Sequence, residues 1–303
     1  MKIASCGDQH ITNRRPKNRT DDYFGTVLDK FEQECQIAVE ENCEIVILPG
    51  DVFDSYKENH LVVQCIISLM KKYPPLHFLC VAGQHDQQFH NPDLSGTTLG
   101  TLLTHTDLII LLTSKPYIIN NTCFYGLSWN EEIPEIITPD CVNILVCHKM
   151  IVDEKLWAQQ EGHTWANHIL LKYKFDLIVS GDNHKQFTVR KGSQHLVNMG
   201  SMMRSTIAQI DHHPAVMIYD TCKQEIFIID LEIKPFHEVM QIDKATKEKE
   251  RNEKLESFVH SLKDKPIGQR TLCRDFVSSL EEYTTVNDVE QEVQDIIWDC
   301  VKD

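Results

Sequence analysis

The 303-residue sequence predicts a layered α/β fold with a small helical region at its carboxyl end. Up to about residue 235, apolar strand-like runs alternate with amphipathic helical segments, and this alternation specifies layered α/β architecture. After Pro235 the sequence becomes charged and helix-prone, without strand-like runs. We therefore expect an α/β core over residues 1–240 and a helical appendage over residues 241–303.

The helices of the core follow from the spacing of apolar residues. From Asp21 to about Glu41 these recur at helical spacing, and acidic residues near the amino end suit the helix dipole. A second helix is expected from about Glu58 to Tyr73, ended by the prolines that follow. Helical structure is expected again around residues 153–172. The later strands are expected near residues 108–112, 123–127, 142–147, 175–180, 186–190, 194–198, 215–219 and 225–231.

Five apolar runs each end on a turn that carries polar side chains able to bind metal. Each run has the length and the Val, Ile and Leu content of a buried strand, so its last side chain is expected at the carboxyl edge of a sheet. Residues far apart in the sequence can meet at such an edge. Their mixed oxygen and nitrogen donors suit manganese, iron or zinc better than calcium. These side chains are Asp8, His10, Asp51, Gln84, His85, His148, Asp182 and His184.

The order and spacing of these motifs resemble the calcineurin-like metallophosphoesterase superfamily. The segments DQH, GDVFD, GQHD, CH and GDNH stand where that superfamily has DxH, GDxxD, GNH[DE], a lone His and GHxH. The resemblance covers roughly the first two thirds of the chain. It implies a four-layer α-β-β-α sandwich, in which two sheets pack face to face with helices outside.

Within the superfamily, the sequence is most similar to SbcD-type DNA nucleases, especially phage or prophage members. Three stretches carry this likeness: GDVFDSYKENHLVVQ, NMGSMMRSTIAQIDHHPAVMIYD and HITNRRPKNRTDDY. The resemblance implies a manganese-dependent DNA exonuclease, with endonuclease activity left open. Its setting would be DNA repair, recombination or phage DNA processing.

The same resemblance implies a dinuclear site, with manganese preferred and magnesium or iron as alternatives. The first ion would be bound by Asp8, His10 and His184. The second ion would be bound by Gln84, His148 and Asp182. Asp51 would bridge both ions, since each carboxylate oxygen can engage one of them.

Three further residues receive roles by resemblance. His85 would not bind metal but would face the scissile phosphate, where it would stabilise or protonate the leaving oxygen. Asp86 would orient the His85 ring. Asp54 would be hydrogen-bonded near the metal turn without binding an ion.

Two residues depart from the superfamily pattern, and both belong to the second ion. Gln84 stands where Asn is usual, and Asp182 stands where the first His of GHxH is usual. Harder oxygen ligands favour manganese or magnesium over zinc. The alternatives are an inactive phosphoesterase-fold scaffold and a phosphoesterase acting on small phosphodiesters or phosphoproteins.

The formal net charge of −15 counts against DNA binding, because contacts to phosphates supply most non-specific affinity. Basic residues are, however, concentrated beside the first and last motifs. As loop residues they would either be solvated or contact the phosphate backbone, and both interpretations stay open. The candidates for phosphate contact are Arg14, Arg15, Lys17, Arg19, Lys185 and Arg204.

In SbcD-like proteins the C-terminal segments form a cap and a helical arm that grips the coiled-coil root of an SbcC-like ATPase. Here the residues Val293, Ile297 and Val301 form an apolar stripe at helical spacing, which would either dock such a partner or pack on the core. A homodimer is also left open.

Location is predicted from cysteine usage and from the absence of targeting signals. Eleven cysteines are scattered without a CxxC pair, which indicates reduced thiols. No signal peptide opens the sequence, and no apolar run approaches the roughly 20 residues of a membrane span. We therefore expect a cytoplasmic protein of a bacterium or an infected host cell, without a membrane partner.

Overall fold

The computed structural model describes residues 1–74, 76–135, 137–156, 162–241, 284, 289–291, 293–295 and 298. The chain divides into two compact units, Met1–Met240 and Gln241–Asp303. The helical appendage expected over residues 241–303 lies largely outside the described residues, as do Ile297 and Val301 of the apolar stripe.

Fourteen strands are assigned within the described residues. In chain order they are β1 (Lys2–Ser5), β2 (Ile45–Leu48), β3 (His77–Cys80), β4 (Ile109–Leu111), β5 (Tyr117–Ile119), β6 (Thr122–Leu127), β7 (Val142–His148), β8 (Ile151–Val152), β9 (Thr164–Trp165), β10 (Leu177–Gly181), β11 (Phe187–Lys191), β12 (Gln194–Asn198), β13 (Ala215–Asp220) and β14 (Glu225–Asp230). The α-helices are α1 (Tyr23–Glu40), α2 (His60–Lys72), α3 (Thr98–His105), α4 (Ala166–Lys172) and α5 (Phe236–Val239). Short 3-10 helices lie at Gln88–His90 and Ile207–Gln209.

The strands form two six-stranded sheets and one small pair. The first sheet has the order β14-β13-β1-β2-β3-β4, and the second has the order β11-β12-β10-β7-β6-β5. Strands β1 to β4 run parallel in the first sheet, and β6, β7, β10 and β12 run parallel in the second. The carboxyl ends of the central strands in each sheet therefore lie along one edge.

Alternation of side chains along the strands builds the layers. Ile45 and Ile47 of β2 pack with residues of both sheets, so the two sheets lie face to face. Their neighbours Val46 and Leu48 point the other way and pack against α1, α2 and α3. The outer face of the second sheet packs on α4 through Ile169 and Leu170. This order of helices, sheet, sheet and helix confirms the predicted α/β sandwich.

Helix caps explain why the helices begin later than the apolar spacing predicts. Asp22 precedes α1, and its side chain accepts a hydrogen bond from the Gly25 N–H at 3.1 Å. Asn59 precedes α2, and its side chain accepts from the Leu61 N–H at 2.9 Å. Both residue types favour the cap position because they satisfy backbone donors left unpaired at the start of a helix.

The prediction of helical structure over residues 153–172 is wrong for most of its described part. Residues 153–156 are not helical, residues 157–161 lie outside the description, and Thr164–Trp165 form strand β9. Only Ala166–Lys172 is helical. Thr164 and Trp165 favour strands, and β9 pairs with β8, so local strand preference and pairing prevail there over the apolar spacing.

Among the residues that the structure describes, no helix combines the length and apolar character needed to cross a bilayer. The nine cysteines within that part of the chain are free thiols.

Glu34 of α1 is a carboxylic acid inside the core with no exposed surface. Its Oε1 accepts a hydrogen bond from the Cys6 N–H at 2.9 Å. Burial raises the pKa of this carboxyl from 4.5 to about 8. Between these two pH values the folded protein keeps a proton that the unfolded chain has released, so the free energy of unfolding falls as pH rises.

We expect Glu34→Gln to remove this loss of stability, because an amide keeps an oxygen for Cys6 and cannot ionise. Relative to the unmodified protein, the variant should gain at least about 1 kcal/mol in free energy of unfolding between pH 5 and pH 8.5. Urea unfolding at both pH values measures this gain. An equal stability difference at the two pH values would show that the carboxyl does not titrate in this range.

Candidate metal centre

The five predicted motifs meet where the carboxyl ends of the two sheets adjoin. In the first sheet, β1, β2 and β3 lead into the turns that carry the DQH, GDVFD and GQHD motifs. In the second sheet, the neighbouring strands β7 and β10 carry the lone His and the GDNH motif. All eight side chains selected from these motifs belong to one cluster, because each of them contacts at least one of the others.

The first group of donors consists of Asp8, His10 and His184. One donor atom from each of these residues lies within 4.8 Å of the others. The His10 Nε2 and His184 Nε2 atoms are 3.0 Å apart, and His184 Nε2 lies 3.6 Å from Asp8 Oδ2. Two ring nitrogens this close require a proton or a cation between them, because two lone pairs would repel.

The second group consists of Gln84, His148 and Asp182. The His148 Nε2 atom is 2.8 Å from Gln84 Oε1, and Gln84 Nε2 donates to Asp182 Oδ1 at 3.2 Å. The other ring nitrogen of His148, Nδ1, lies 2.8 Å from the Pro49 carbonyl oxygen. This contact fixes the ring so that Nε2 faces the cluster, as is usual for a metal-binding histidine.

Asp51 lies between the two groups. Its Oδ2 atom is 3.7 Å from His10 Nε2 and 3.4 Å from His148 Nε2, so it contacts one member of each group. Its Oδ1 accepts a hydrogen bond from the His85 backbone N–H at 2.8 Å. The same Oδ2 lies 3.9 Å from His85 Nε2. One carboxylate therefore reaches both sides of the cluster.

The cluster concentrates negative charge away from water. Burial raises the pKa of Asp8 to about 7, although His148 opposes that shift. Burial also opposes the charge on His148, yet nearby carboxylates, with Asp51 the strongest, raise its pKa to about 10. For Asp51, burial is outweighed by the histidines, which lower its pKa to about 2. A field that keeps a buried imidazole charged also attracts a divalent cation.

The two histidines of the first group differ in their affinity for protons. For His10, burial is outweighed by Asp54 and Asp51, which raise its pKa. For His184, burial and the nearby His10 lower the pKa to about 4. His184 is therefore neutral near pH 7 and offers a nitrogen lone pair to a cation.

The residues fit a pair of divalent ions. Asp8 Oδ1 and Asp51 Oδ2 are buried and have no hydrogen-bond partner among the described residues. Buried carboxylate oxygens are normally paired or bound to metal. A Cβ added at Gly83 would lie 2.1 Å from Asp51 Oδ1, and one added at Gly181 would lie 2.3 Å from Asp8 Oδ1. Glycine is needed at both positions so that the backbone can approach the carboxylates.

Three residues of the cluster adopt a strained backbone. His10, Asp51 and Asp182 have φ angles of 44°, 47° and 78°. Side chains other than glycine rarely occupy this left-handed region, and each such residue costs on the order of 1 kcal/mol. The fold holds these three side chains in place at a cost in stability, which is typical of functional sites.

The structure corrects the expected contact between His85 and Asp86. The His85 Nδ1 atom lies 2.8 Å from the carbonyl oxygen of Asp54, so that main-chain atom orients the ring. Asp86 is fully buried and accepts hydrogen bonds from the backbone N–H groups of Val52, Phe53 and Gly83. Asp86 thus ties together the loops that carry Asp51 and Gln84.

Asp54 lies beside His10 of the first donor group. Its Oδ1 is 3.3 Å from His10 Nδ1, and its side chain is partly exposed. The carbonyl oxygens of Pro49 and Asp54 were missed by sequence reasoning, because main-chain atoms have no residue-type signature. The glycines at positions 83 and 181 were the available signal that the backbone passes close to the site.

The six basic candidates differ in exposure. Arg14, Arg15 and Lys17 are exposed, and Arg14 is paired with Glu58 at 2.7 Å. Lys185 follows His184 and forms an ion pair with Glu154.

Arg19 and Arg204 are buried instead. Arg19 forms a two-pronged ion pair with Asp21 and donates to the Arg204 carbonyl oxygen at 2.8 Å. Arg204 donates to the Lys234 carbonyl oxygen and lies over the Phe236 ring. These two arginines hold loops together and do not present an exposed guanidinium to a DNA backbone.

Curated relatives of this chain include proteins named DNA double-strand break repair protein Mre11. One from Methanosarcina acetivorans is 24% identical over 211 residues, which cover 64% of this chain and 32% of that protein. One from Saccharolobus solfataricus is 32% identical over 151 residues, which cover 48% of this chain and 38% of that protein. The chain therefore spans less than half of the length of these two relatives.

Similar solved structures include TT1561 of Thermus thermophilus, with a TM-score of 0.47 and 13% identity. That likeness covers 76% of this chain and 99% of the other. A dimetal phosphatase from Danio rerio has a TM-score of 0.45 and 11% identity, covering 77% of this chain and 99% of the other.

A comparison with protein families matches residues 1–186 to the calcineurin-like phosphoesterases. This segment includes all five motifs and the whole cluster of candidate ligands. Because the match extends over more than half of the 303 residues, the chain belongs to the calcineurin-like phosphoesterase family, in which a pair of divalent metal ions serves hydrolysis.

Proposed function

We propose that this chain is a metal-dependent nuclease that hydrolyses phosphodiester bonds of DNA. The observation that carries the proposal is the position of Asp51, whose buried Oδ2 has no hydrogen-bond partner among the described residues and lies between two groups of donors. That arrangement suits two ions acting on one phosphate. The choice of DNA rests on the similarity to Mre11 proteins, which are named for DNA double-strand break repair.

In this proposal the site residues bind the ions and position the substrate. Bound divalent ions polarise a phosphodiester and lower the pKa of a water molecule towards neutrality. One ion would be held by Asp8, His10 and His184. The other would be held by Gln84, His148 and Asp182, with Asp51 shared.

His85 acts on the leaving group. Its Nδ1 is engaged by the Asp54 carbonyl, and its Nε2 lies on the side of the ring near Asp51 Oδ2. The side chain is 42% exposed, so a phosphodiester can reach it. When protonated on both nitrogens, His85 can donate the Nε2 proton to the departing oxygen. Asp86 supports this geometry indirectly, through the loops that it ties together.

Manganese is the proposed metal, with magnesium or iron as alternatives. Asp182 places an oxygen donor in the second group where the family pattern has His, whereas Gln84 keeps the amide oxygen of the usual Asn. Harder oxygen donors favour manganese over zinc. We expect Asp182→His to retain some hydrolysis of bis-p-nitrophenyl phosphate and to shift the preferred metal from manganese towards zinc. Rates with each metal, compared with an Asp107→His control at an exposed position, measure the shift. An unchanged preference would remove Asp182 from the ligands.

Exposed cations near the site favour DNA over a small substrate. Arg14 and Arg15 lie on the loop that follows His10, and Lys185 follows His184 directly. A nuclease can use such residues to hold phosphates on either side of the cleaved bond. A small phosphodiester would not need them.

The test compares three substrates with the purified chain and manganese: linear duplex DNA, single-stranded DNA and bis-p-nitrophenyl phosphate. Cleavage of DNA with a higher kcat/KM than the small diester supports the proposal. Hydrolysis of the small diester alone would favour a small-substrate phosphodiesterase. No hydrolysis of any substrate, with no bound metal, would favour a scaffold.

We further propose that an SbcC-like ATPase binds the C-terminal region. The support is the resemblance to SbcD-type nucleases and the helical spacing of the apolar residues Val293, Ile297 and Val301. Deletion from Lys244 onwards should abolish co-purification with the ATPase and preserve cleavage of bis-p-nitrophenyl phosphate. Loss of folding on deletion would show instead that the stripe packs on the core.

A further inference from the structure

Phe89 exposes an aromatic ring on the segment that follows the GQHD motif. The residue is 82% exposed and lies four residues after His85. The ring centroid is 5.9 Å from that of Tyr56, which follows Asp54 on the loop that orients His85. A single exposed apolar residue is common on protein surfaces, so the exposure of Phe89 gains significance from the neighbouring Tyr56 ring and from the strained backbone at Phe89.

The backbone at Phe89 is strained. Phe89 and His90 have φ angles of 51° and 62°, so two successive residues other than glycine occupy the left-handed region. Glycine or asparagine would adopt this conformation at a lower cost in stability. Strain of this kind is concentrated at functional sites. The chain thus accepts strain in order to present an aromatic ring to solvent.

The His90 ring packs beside Trp129. Its centroid lies 4.7 Å from that of Trp129, with the ring planes tilted by 31°. Trp129 is held by a hydrogen bond from its backbone N–H to the Ala82 carbonyl oxygen, just before the Gly83-Gln84-His85 turn. We call the two ring pairs, Tyr56 with Phe89 and His90 with Trp129, the aromatic rim.

We propose that the aromatic rim binds unpaired nucleic-acid bases by stacking, with Phe89 as the main contact. This inference rests on the proposed function, because it places the bases next to the phosphodiester that the metal centre would cleave. It names the substrate class as DNA with unpaired bases, either a single strand or a frayed end. Aromatic side chains suit this task because every base has a π-face.

The charge of the chain supports a stacking contribution. With a net charge of −15, the protein has little general attraction for a phosphate backbone. Two of the six basic candidates, Arg19 and Arg204, are also buried. Stacking provides affinity that does not depend on positive charge, and it is typically worth roughly a 5- to 150-fold change in binding per base.

The experiment compares two single strands of equal length, one with normal bases and one in which all bases are removed. Phe89→Leu keeps an apolar side chain and removes the π-face. It should lower kcat/KM for the base-bearing strand by about 5- to 150-fold and leave the abasic strand within twofold. Phe89→Trp should retain activity on both. Phe227→Leu, which removes an exposed phenylalanine from β14, serves as the matched control.

Several results would overturn the inference. An equal loss on both strands would show that Phe89 acts through the shape of the site and not through bases. No loss on either strand would exclude stacking while leaving the nuclease function intact. If the unmodified protein hydrolysed bis-p-nitrophenyl phosphate but neither strand, the proposed DNA nuclease function would itself be wrong.

Stability provides an independent check of the strain argument. Phe89→Gly should not lower the melting temperature, because glycine adopts the left-handed conformation without strain. The same variant should lose activity on the base-bearing strand as Phe89→Leu does. A marked fall in melting temperature would mean that Phe89 serves the fold, and it would overturn the inference.

Discussion

Asp51→Asn is expected to reduce phosphodiester hydrolysis to background and to weaken the binding of both metal ions. The substitution keeps the size of the side chain but removes the negative charge that lies within 3.7 Å of His10 Nε2 and 3.4 Å of His148 Nε2. An amide also offers one oxygen in place of two, so it cannot bridge two ions in the same way. The measurements are manganese titration by calorimetry and hydrolysis of bis-p-nitrophenyl phosphate.

Asp107→Asn provides the control for Asp51→Asn, since Asp107 is exposed and lies outside the cluster. Its activity and metal binding should match those of the unmodified protein. A folded Asp51→Asn variant that still bound two ions tightly and hydrolysed the diester would remove Asp51 from the bridging position.

His85→Ala is expected to lower kcat by about 10²- to 10⁴-fold, the usual contribution of a positioned acid or base. Metal binding should barely change, because the proposed ligands do not include His85 and its ring is oriented from outside the cluster by the Asp54 carbonyl. Steady-state rates with manganese, together with the number of ions bound, separate these two effects.

The His85→Ala variant also tests whether His85 is itself a metal ligand, since its Nε2 lies only 3.9 Å from Asp51 Oδ2. One donor atom from each of His10, Asp51 and His85 lies within 4.8 Å of the others, so His85 could bind a metal itself. Loss of one bound ion in His85→Ala would assign it as a ligand. His105→Ala, at an exposed histidine of α3, should leave both rate and metal binding unchanged.

The central strands of the fold were predictable from the sequence because two signals coincide there. An apolar run such as Ile45–Leu48 is fully buried on both faces, and a polar turn carrying Asp51 follows it. Helix α3 was not predicted, because its eight residues include only a few apolar side chains to reveal a period. Its start depends on a local cap, in which the Thr97 side chain accepts from the Gly100 N–H.

Within the site, the sequence located the polar residues but not their contacts. Asp86 follows His85 in the chain, which suggested that the two side chains interact. In the structure, three backbone N–H groups donate hydrogen bonds to the Asp86 carboxylate in the interior. The carbonyl oxygen of Asp54 contacts His85 Nδ1 in the position expected for Asp86. These partners are main-chain atoms, whose positions depend on the tertiary fold.

The sequence also did not show which of the basic residues are exposed to solvent. Arg15 and Arg19 belong to the same basic stretch, yet Arg15 is exposed and Arg19 is buried in an ion pair with Asp21. The difference arises because Arg19 N–H groups also bind the Arg204 carbonyl oxygen, a contact between residues far apart in the chain. Such a contact has no counterpart in local composition.

The measurement that tests the dinuclear centre most directly is the number of manganese ions bound per chain, determined by calorimetric titration of metal-free protein and by elemental analysis of the saturated protein. We expect two ions for the unmodified chain and one for Asp182→Ala, because Asp182 belongs to only one of the two donor groups. A single ion in the unmodified chain, unaffected by Asp182→Ala, would contradict the proposed pair of metal sites.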